Sequence, residues 1–175
     1  MHQKLPKEID PLRLAQNGLV LEGRLPLSEM KRLTEALHGN EGMVDVKMSF
    51  ALDEVGAPFM RGEFNVTISL MCERCFEPMS VDLVVSSLLA IVRNEKQIEG
   101  LAEQYEPWLL DSDNPVWLAK VIEDELILAL PIIPRHDSDC LPEDAWSVGD
   151  EGQDDSETEK QASPFAVLST LRSKP

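Results

Sequence analysis

Cysteine is scarce in this chain: three in 175 residues, an odd number. That excludes a small secreted domain held by a disulfide framework and makes a reducing cytoplasm the expected compartment. Aromatic residues make up only 5 % and are not interleaved with arginines, as a base-stacking surface would require. Basic residues are outnumbered, with 16 Lys and Arg against 32 Asp and Glu and a formal charge of −16. The basic groove that usually marks a nucleic-acid binder is not evident. No apolar run comes near the roughly 20 residues of a membrane-spanning helix. The first six residues have no apolar core followed by a cleavage site, so no signal peptide is expected. Catalytic signatures are missing too. The histidines are His2, His38 and His136, and none stands at a motif spacing from a nucleophile. There is no Gly-x-Ser-x-Gly, no phosphate-binding glycine loop and no His-Glu-x-x-His.

What remains is an ordinary globular composition, 43 % hydrophobic and 27 % charged. Residues 19–23 suit a short strand. A helix is expected from Ser28 as cap, with Met30, Leu33 and Leu37 on one face and Gly39 as its stop. The period then changes to two. Val44, Val46, Met48, Phe50 and Leu52 alternate with polar or small residues, a loop follows at 53–58, and Phe64, Val66, Ile68 and Leu70 repeat the pattern. A turn at 73–78 leads to a third strand through Val81, Leu83 and Val85 toward Val92. Near Val84 and Val85 both of its faces are apolar, which predicts a central or doubly covered strand. Asn114 and Pro115 read as cap and first position of a long helix carrying Trp117, Leu118, Val121, Ile122 and Leu126, with Trp117 in the core. The expected fold is α+β: an antiparallel meander of three or more strands covered by that helix, with a short N-terminal helix, over residues 1–141.

Residues 142–162 carry Glu143, Asp144, Asp150, Glu151, Asp154, Asp155, Glu157 and Glu159, opposed only by Lys160. Such a stretch buries too little to offset its ordering entropy and reads as a flexible acidic linker. Trp146 within it suits a partner contact, since a tryptophan is an unusual choice in a solvating linker. Residues 163–175 form a short amphipathic segment, with Ser163 and Pro164 opening a helical turn and Phe165, Leu168 and Leu171 on one face. It either docks on its own domain or meets a partner.

Two local patterns carry chemistry. Cys72-Glu73-Arg74-Cys75 lies where a strand enters a hairpin, and its two-residue gap lets both sulfurs address one ion. His136 and Cys140 complete three thiolates and one imidazole, the ligand set of a closed, structural zinc site. The alternative is a buried Cys72, an exposed Cys75 and no metal. A thioredoxin-like redox role does not suit a Cys-x-x-Cys placed between strands. The second pattern is Glu123-Asp124-Glu125 inside an otherwise apolar helix. Adjacent helical residues point about 100° apart, so the three are not an acid–base pair. They read either as a solvated face or as a negative stripe for a basic partner.

Leu12-Arg13-Leu14-Ala15, Cys72-Glu73-Arg74-Cys75, the block from Glu123 to Pro131, His136-Asp137 and Pro164 to Leu168 together resemble the YceD family, the bacterial large ribosomal RNA subunit accumulation proteins. The resemblance implies a cytoplasmic, non-catalytic role in synthesis, processing or stability of large-subunit (23S) ribosomal RNA. Related sequences often carry cysteines where His136 and Cys140 stand. With the charge, this suggests an assembly factor that binds a basic ribosomal protein or the precursor particle through Glu123, Asp124, Glu125, Asp154 and Asp155, with Trp146 or Phe165 as apolar anchor. Neither a membrane nor a small-molecule substrate is expected. The alternative is direct RNA binding through the sheet and the basic residues Arg13, Arg24, Lys31 and Arg32. A zinc nuclease is disfavoured, because four protein ligands leave no position for water.

Overall fold

The computed structural model describes residues 4–110 and 114–142. The expected acidic linker after Pro142 and the amphipathic segment 163–175 lie outside the described residues. Alternation of large apolar and polar side chains drives the central architecture. Strands β2 (Val20–Pro26), β3 (Met43–Leu52), β4 (Pro58–Met71) and β5 (Pro78–Val92) pair antiparallel in chain order, and β6 (Glu106–Leu109) joins β5 in parallel. Register follows the pleat: Gly23 faces Val46, Phe50 faces Met60 and Phe64 faces Val85. One face therefore collects Val44, Val46, Met48, Phe50, Met60, Phe64, Val66, Ile68 and Leu70, all buried. The other carries Asp45, Lys47, Glu63 and Arg61 toward solvent. Gly62 keeps the core face open at one point, since a Cβ there would stand 2.5 Å from the Phe64 ring.

The helices are short. Asp10 caps α1 (Pro11–Gln16) by accepting from the Arg13 N–H at 3.0 Å, with Pro11 at the first position. Strand β1 (Glu8–Ile9) pairs antiparallel with β7 (Val116–Trp117), which leads directly into α3 (Leu118–Leu128). Leu118, Val121, Ile122 and Leu126 of α3 share one core with the buried sheet face and with Leu27, Met30 and Leu33.

Several expectations need correction. The helix expected from Asn114 begins at Leu118, because residues 116 and 117 are drawn into pairing with β1. Trp117 consequently lies outside the core, 56 % exposed. The helix expected from Ser28 divides into a 3-10 turn at Leu27–Glu29 and a separate α2 (Lys31–Ala36), with a non-helical Met30 between them. Ser28 caps neither. The sheet is not purely a meander, since β6 runs parallel to its neighbour. Burial on both faces of β5 falls at Leu89, Ala90, Ile91 and Val92, beside β6, while Val84 faces solvent.

Helix α2 has no cap of its own. Its free N–H groups are satisfied from α3. The Glu123 carboxylate accepts from the backbone N–H of Arg32 at 2.7 Å and of Leu33 at 3.1 Å. Its second oxygen accepts from the Arg32 guanidinium at 3.0 and 3.1 Å. Glu123 is only 6 % exposed, so the solvated-face reading does not hold for it. A buried carboxylate is tolerated where every acceptor site is used, and here both oxygens are.

Glu123→Ala leaves two N–H groups and a guanidinium without their acceptor, and is expected to cost about 2–4 kcal/mol. Glu123→Gln keeps an acceptor oxygen and should cost about 1–2 kcal/mol. Arg32→Ala, whose side chain is half exposed, should cost less than Glu123→Ala. Urea unfolding of the three variants checks the order. Equal losses for Arg32→Ala and Glu123→Ala would mean that the ion pair, rather than the capping, carries the stability.

Candidate metal centre

Strand parity delivers Cys72 to the interior. It continues the buried series Ile68 and Leu70 one step past the end of β4 and is fully buried. The β4–β5 hairpin then closes around it. The Cys72 N–H donates to the Glu77 carbonyl at 3.0 Å, and the Phe76 N–H to the Cys72 carbonyl at 2.9 Å. Phe76 adopts φ 58°, a left-handed conformation rare for a bulky residue. The turn it makes leaves Cys75 partly buried next to Cys72.

The segment after α3 docks on this turn. The Glu73 N–H donates to the Pro134 carbonyl at 2.9 Å. Arg74 does more: its Nε donates to Cys140 Sγ at 3.1 Å, Nη1 to Asp139 Oδ1 at 3.2 Å, and Nη2 to the carbonyls of His136 (3.0 Å) and Ser138. One guanidinium thus curls residues 136–140 around the hairpin. The four residues expected from sequence come together. Sγ of Cys72 and Cys140 are 3.8 Å apart, Sγ of Cys75 and Nδ1 of His136 are 3.4 Å apart, and all four ligand atoms lie within 4.8 Å of one another. The cysteines are free thiols.

The two shortest separations match a tetrahedral ion. Two thiolates at about 2.3 Å from one centre stand about 3.8 Å apart, and a thiolate and an imidazole somewhat closer. The electrostatics agree. Burial pushes the Cys72 thiol up, but N–H groups of Cys75, His136 and Arg74 outweigh it and bring the group down to about 5. Burial pushes Cys75 up, with the neighbouring sulfurs adding to the shift. The surrounding donors thus favour ionisation of Cys72 while burial disfavours it at Cys75, and a cation at the centre would favour the thiolate of both. The cluster can hold a metal ion. Arg74 is its organising residue, a role that the two-residue spacing alone does not mark out.

The carboxylate triplet splits three ways. Glu123 turns inward. Asp124 pairs with the Arg32 guanidinium. Glu125 accepts from the Ser87 hydroxyl; burial raises its pKa, Ser87 opposes the rise, and repulsion from Glu106 and Asp124 adds to it. Glu106, Asp124 and Glu125 line one groove of about 380 Å³ together with Trp108, Leu109 and Leu128. Glu106 comes from β6, and no pattern in the sequence connects it to the triplet. Trp146, Asp154, Asp155 and Phe165 lie outside the described residues.

The family model of the large ribosomal RNA subunit accumulation protein YceD matches residues 60–172, which include all four candidate ligands. A protein of Haemophilus influenzae (strain Rd) named large ribosomal RNA subunit accumulation protein YceD is 33 % identical over 175 residues, covering 98 % of this chain and 98 % of the relative. No solved structure matches the chain.

A carboxyl whose folded pKa is raised binds its proton more tightly folded than unfolded, so its ionisation lowers stability as pH rises through the folded pKa. Glu125→Gln, which keeps a partner for Ser87, is therefore expected to raise Tm at pH 7. The advantage should vanish below about pH 4, where the carboxyl is protonated in both states. Thermal melts of both proteins across this range check it.

Proposed function

The chain belongs to the YceD family, and from that premise we propose that it is a non-catalytic cytoplasmic factor supporting accumulation of large-subunit (23S) ribosomal RNA, acting by binding a basic ribosomal protein or a basic patch of the precursor particle. The observation that carries this reading is the acidic groove. Glu125 is partly desolvated and repelled by Glu106 and by Asp124, which is itself paired with Arg32. A lysine or arginine entering it would relieve that repulsion, and Leu109 and Leu128, both exposed, offer apolar contact beside it. The net charge of −16 draws a polycation from a distance, and the acids from Glu143 to Glu159 extend the attraction. Trp146 and Phe165 are the proposed apolar anchors of that tail. The family name describes accumulation of an RNA, not a reaction. No helix among the described residues is long and apolar enough to cross a membrane.

Zinc is the ion proposed for Cys72, Cys75, His136 and Cys140. Three thiolates and an imidazole suit it, and four protein ligands leave no open position, so its role would be to hold the hairpin and residues 136–140 together. Such a set around a divalent ion carries one net negative charge, which the guanidinium of Arg74 balances.

Capture of tagged protein from lysate should retain a basic large-subunit protein after ribonuclease. Raising salt, deleting residues 142–160, or combining Glu106→Gln with Glu125→Gln should each weaken that capture several-fold. Loss of every ribosomal component after ribonuclease would sink the protein-binding reading. Native mass spectrometry of protein purified without chelator should show one zinc, lost in Cys72→Ser. A metal-free wild type whose melting ignores chelator would end the zinc assignment.

A further inference from the structure

Against the acidity of the whole chain, one pocket is basic. It has a volume of about 500 Å³, and four cations, Lys4, Lys7, Arg24 and Lys31, line it against one carboxylate, Glu29. Arg24 is paired with Asp45. The three lysines are exposed and make no ion pair among the described residues. Tertiary structure gathers them. Pairing of Glu8 with Trp117, and the Leu118 N–H donating to the Lys7 carbonyl at 2.9 Å, set Lys7 beside Trp117. Buried Leu5 anchors the segment that carries Lys4, and Lys31 opens α2. Trp117 completes the lining, with more than half its surface open to solvent.

We propose that this pocket binds single-stranded RNA, with a base stacked on Trp117 and neighbouring phosphates on Lys4, Lys7 and Lys31. A flat exposed indole beside unpaired cations is the combination that single strands recognise. The volume lies within the range of pockets that take small ligands, roughly 300–1,000 Å³. At physiological ionic strength, screening over about 8 Å confines the cations to their immediate neighbours, so they act despite the net charge. The acidic remainder selects against duplex, whose dense phosphates would extend beyond the pocket. The inference goes beyond the protein-binding reading, and its pocket shares no residue with the acidic groove.

The test is fluorescence anisotropy of a labelled, mixed-sequence single-stranded oligoribonucleotide of about ten nucleotides, titrated with the full chain. With three phosphates engaged, log K should fall against log salt with a slope of about −2. Trp117→Ala should weaken binding about tenfold or more, and Trp117→Phe much less. Lys7→Ala combined with Lys31→Ala should weaken binding and flatten the slope by about 1.4. The lysine pair keeps the test valid if Trp117→Ala fails to fold. Absence of binding at low salt, equal binding of a duplex, or binding unchanged in both sets of variants would overturn the proposal. Tighter binding of a polyglutamate peptide would overturn it in favour of an acidic protein partner. Ribonuclease-resistant capture of a basic ribosomal protein should be the same in the Lys7→Ala, Lys31→Ala double variant, which loses RNA binding, and wild type, so the two readings fail separately.

Discussion

A single desolvated carboxylate organises the helical side of this protein. Glu123 has two oxygens and little access to water, so both are satisfied internally. The nearest unsatisfied donors are the N–H groups of Arg32 and Leu33 at the start of a helix too short to cap itself. That requirement joins α2 to α3 across a long stretch of sequence. It also fixes the rotation of α3. With Glu123 inward, Asp124 must lie beside Arg32, and Glu125 is directed toward Ser87 of β5 and the Glu106 carboxylate of β6. The acidic groove is thus a consequence of the capping bond.

At the hairpin, a cation again satisfies atoms of another segment. Arg74 reaches the Cys140 sulfur, the Asp139 carboxylate and two carbonyls, and the hairpin backbone adds a bond to Pro134. These contacts shape residues 134–140 around Cys72 and Cys75. The cluster is therefore preorganised by hydrogen bonds of the chain itself. Preorganisation of this kind reduces the ordering cost of binding a metal.

Charge in this chain is partitioned rather than merely abundant. Acids meet in the groove beside β6 and run through the tail, while the exposed lysines at the N-terminal segment and at α2 share a pocket with Trp117. The two proposed partners, a basic protein and a single-stranded RNA, would meet different residues, since the pocket and the groove share none.

By itself the sequence determined the α+β class, the three long strands and the membership of the cluster of Cys72, Cys75, His136 and Cys140. A period of two with one apolar face can satisfy the hydrophobic effect in only one way, and Cys-x-x-Cys in a strand turn constrains two sulfurs locally. The Asp10-Pro11 start of α1 is equally legible through its cap chemistry, an aspartate cap followed by proline at the first position. Tertiary structure alone decided the rest. Pairing of β1 with β7 overrode the Asn114-Pro115 helix signal and exposed Trp117. The parallel docking of β6 brought Glu106 to the triplet, and Glu123 went inside because donors 90 residues away in sequence needed an acceptor. These outcomes depend on long-range hydrogen-bond satisfaction, which leaves no periodic trace in a local window of sequence.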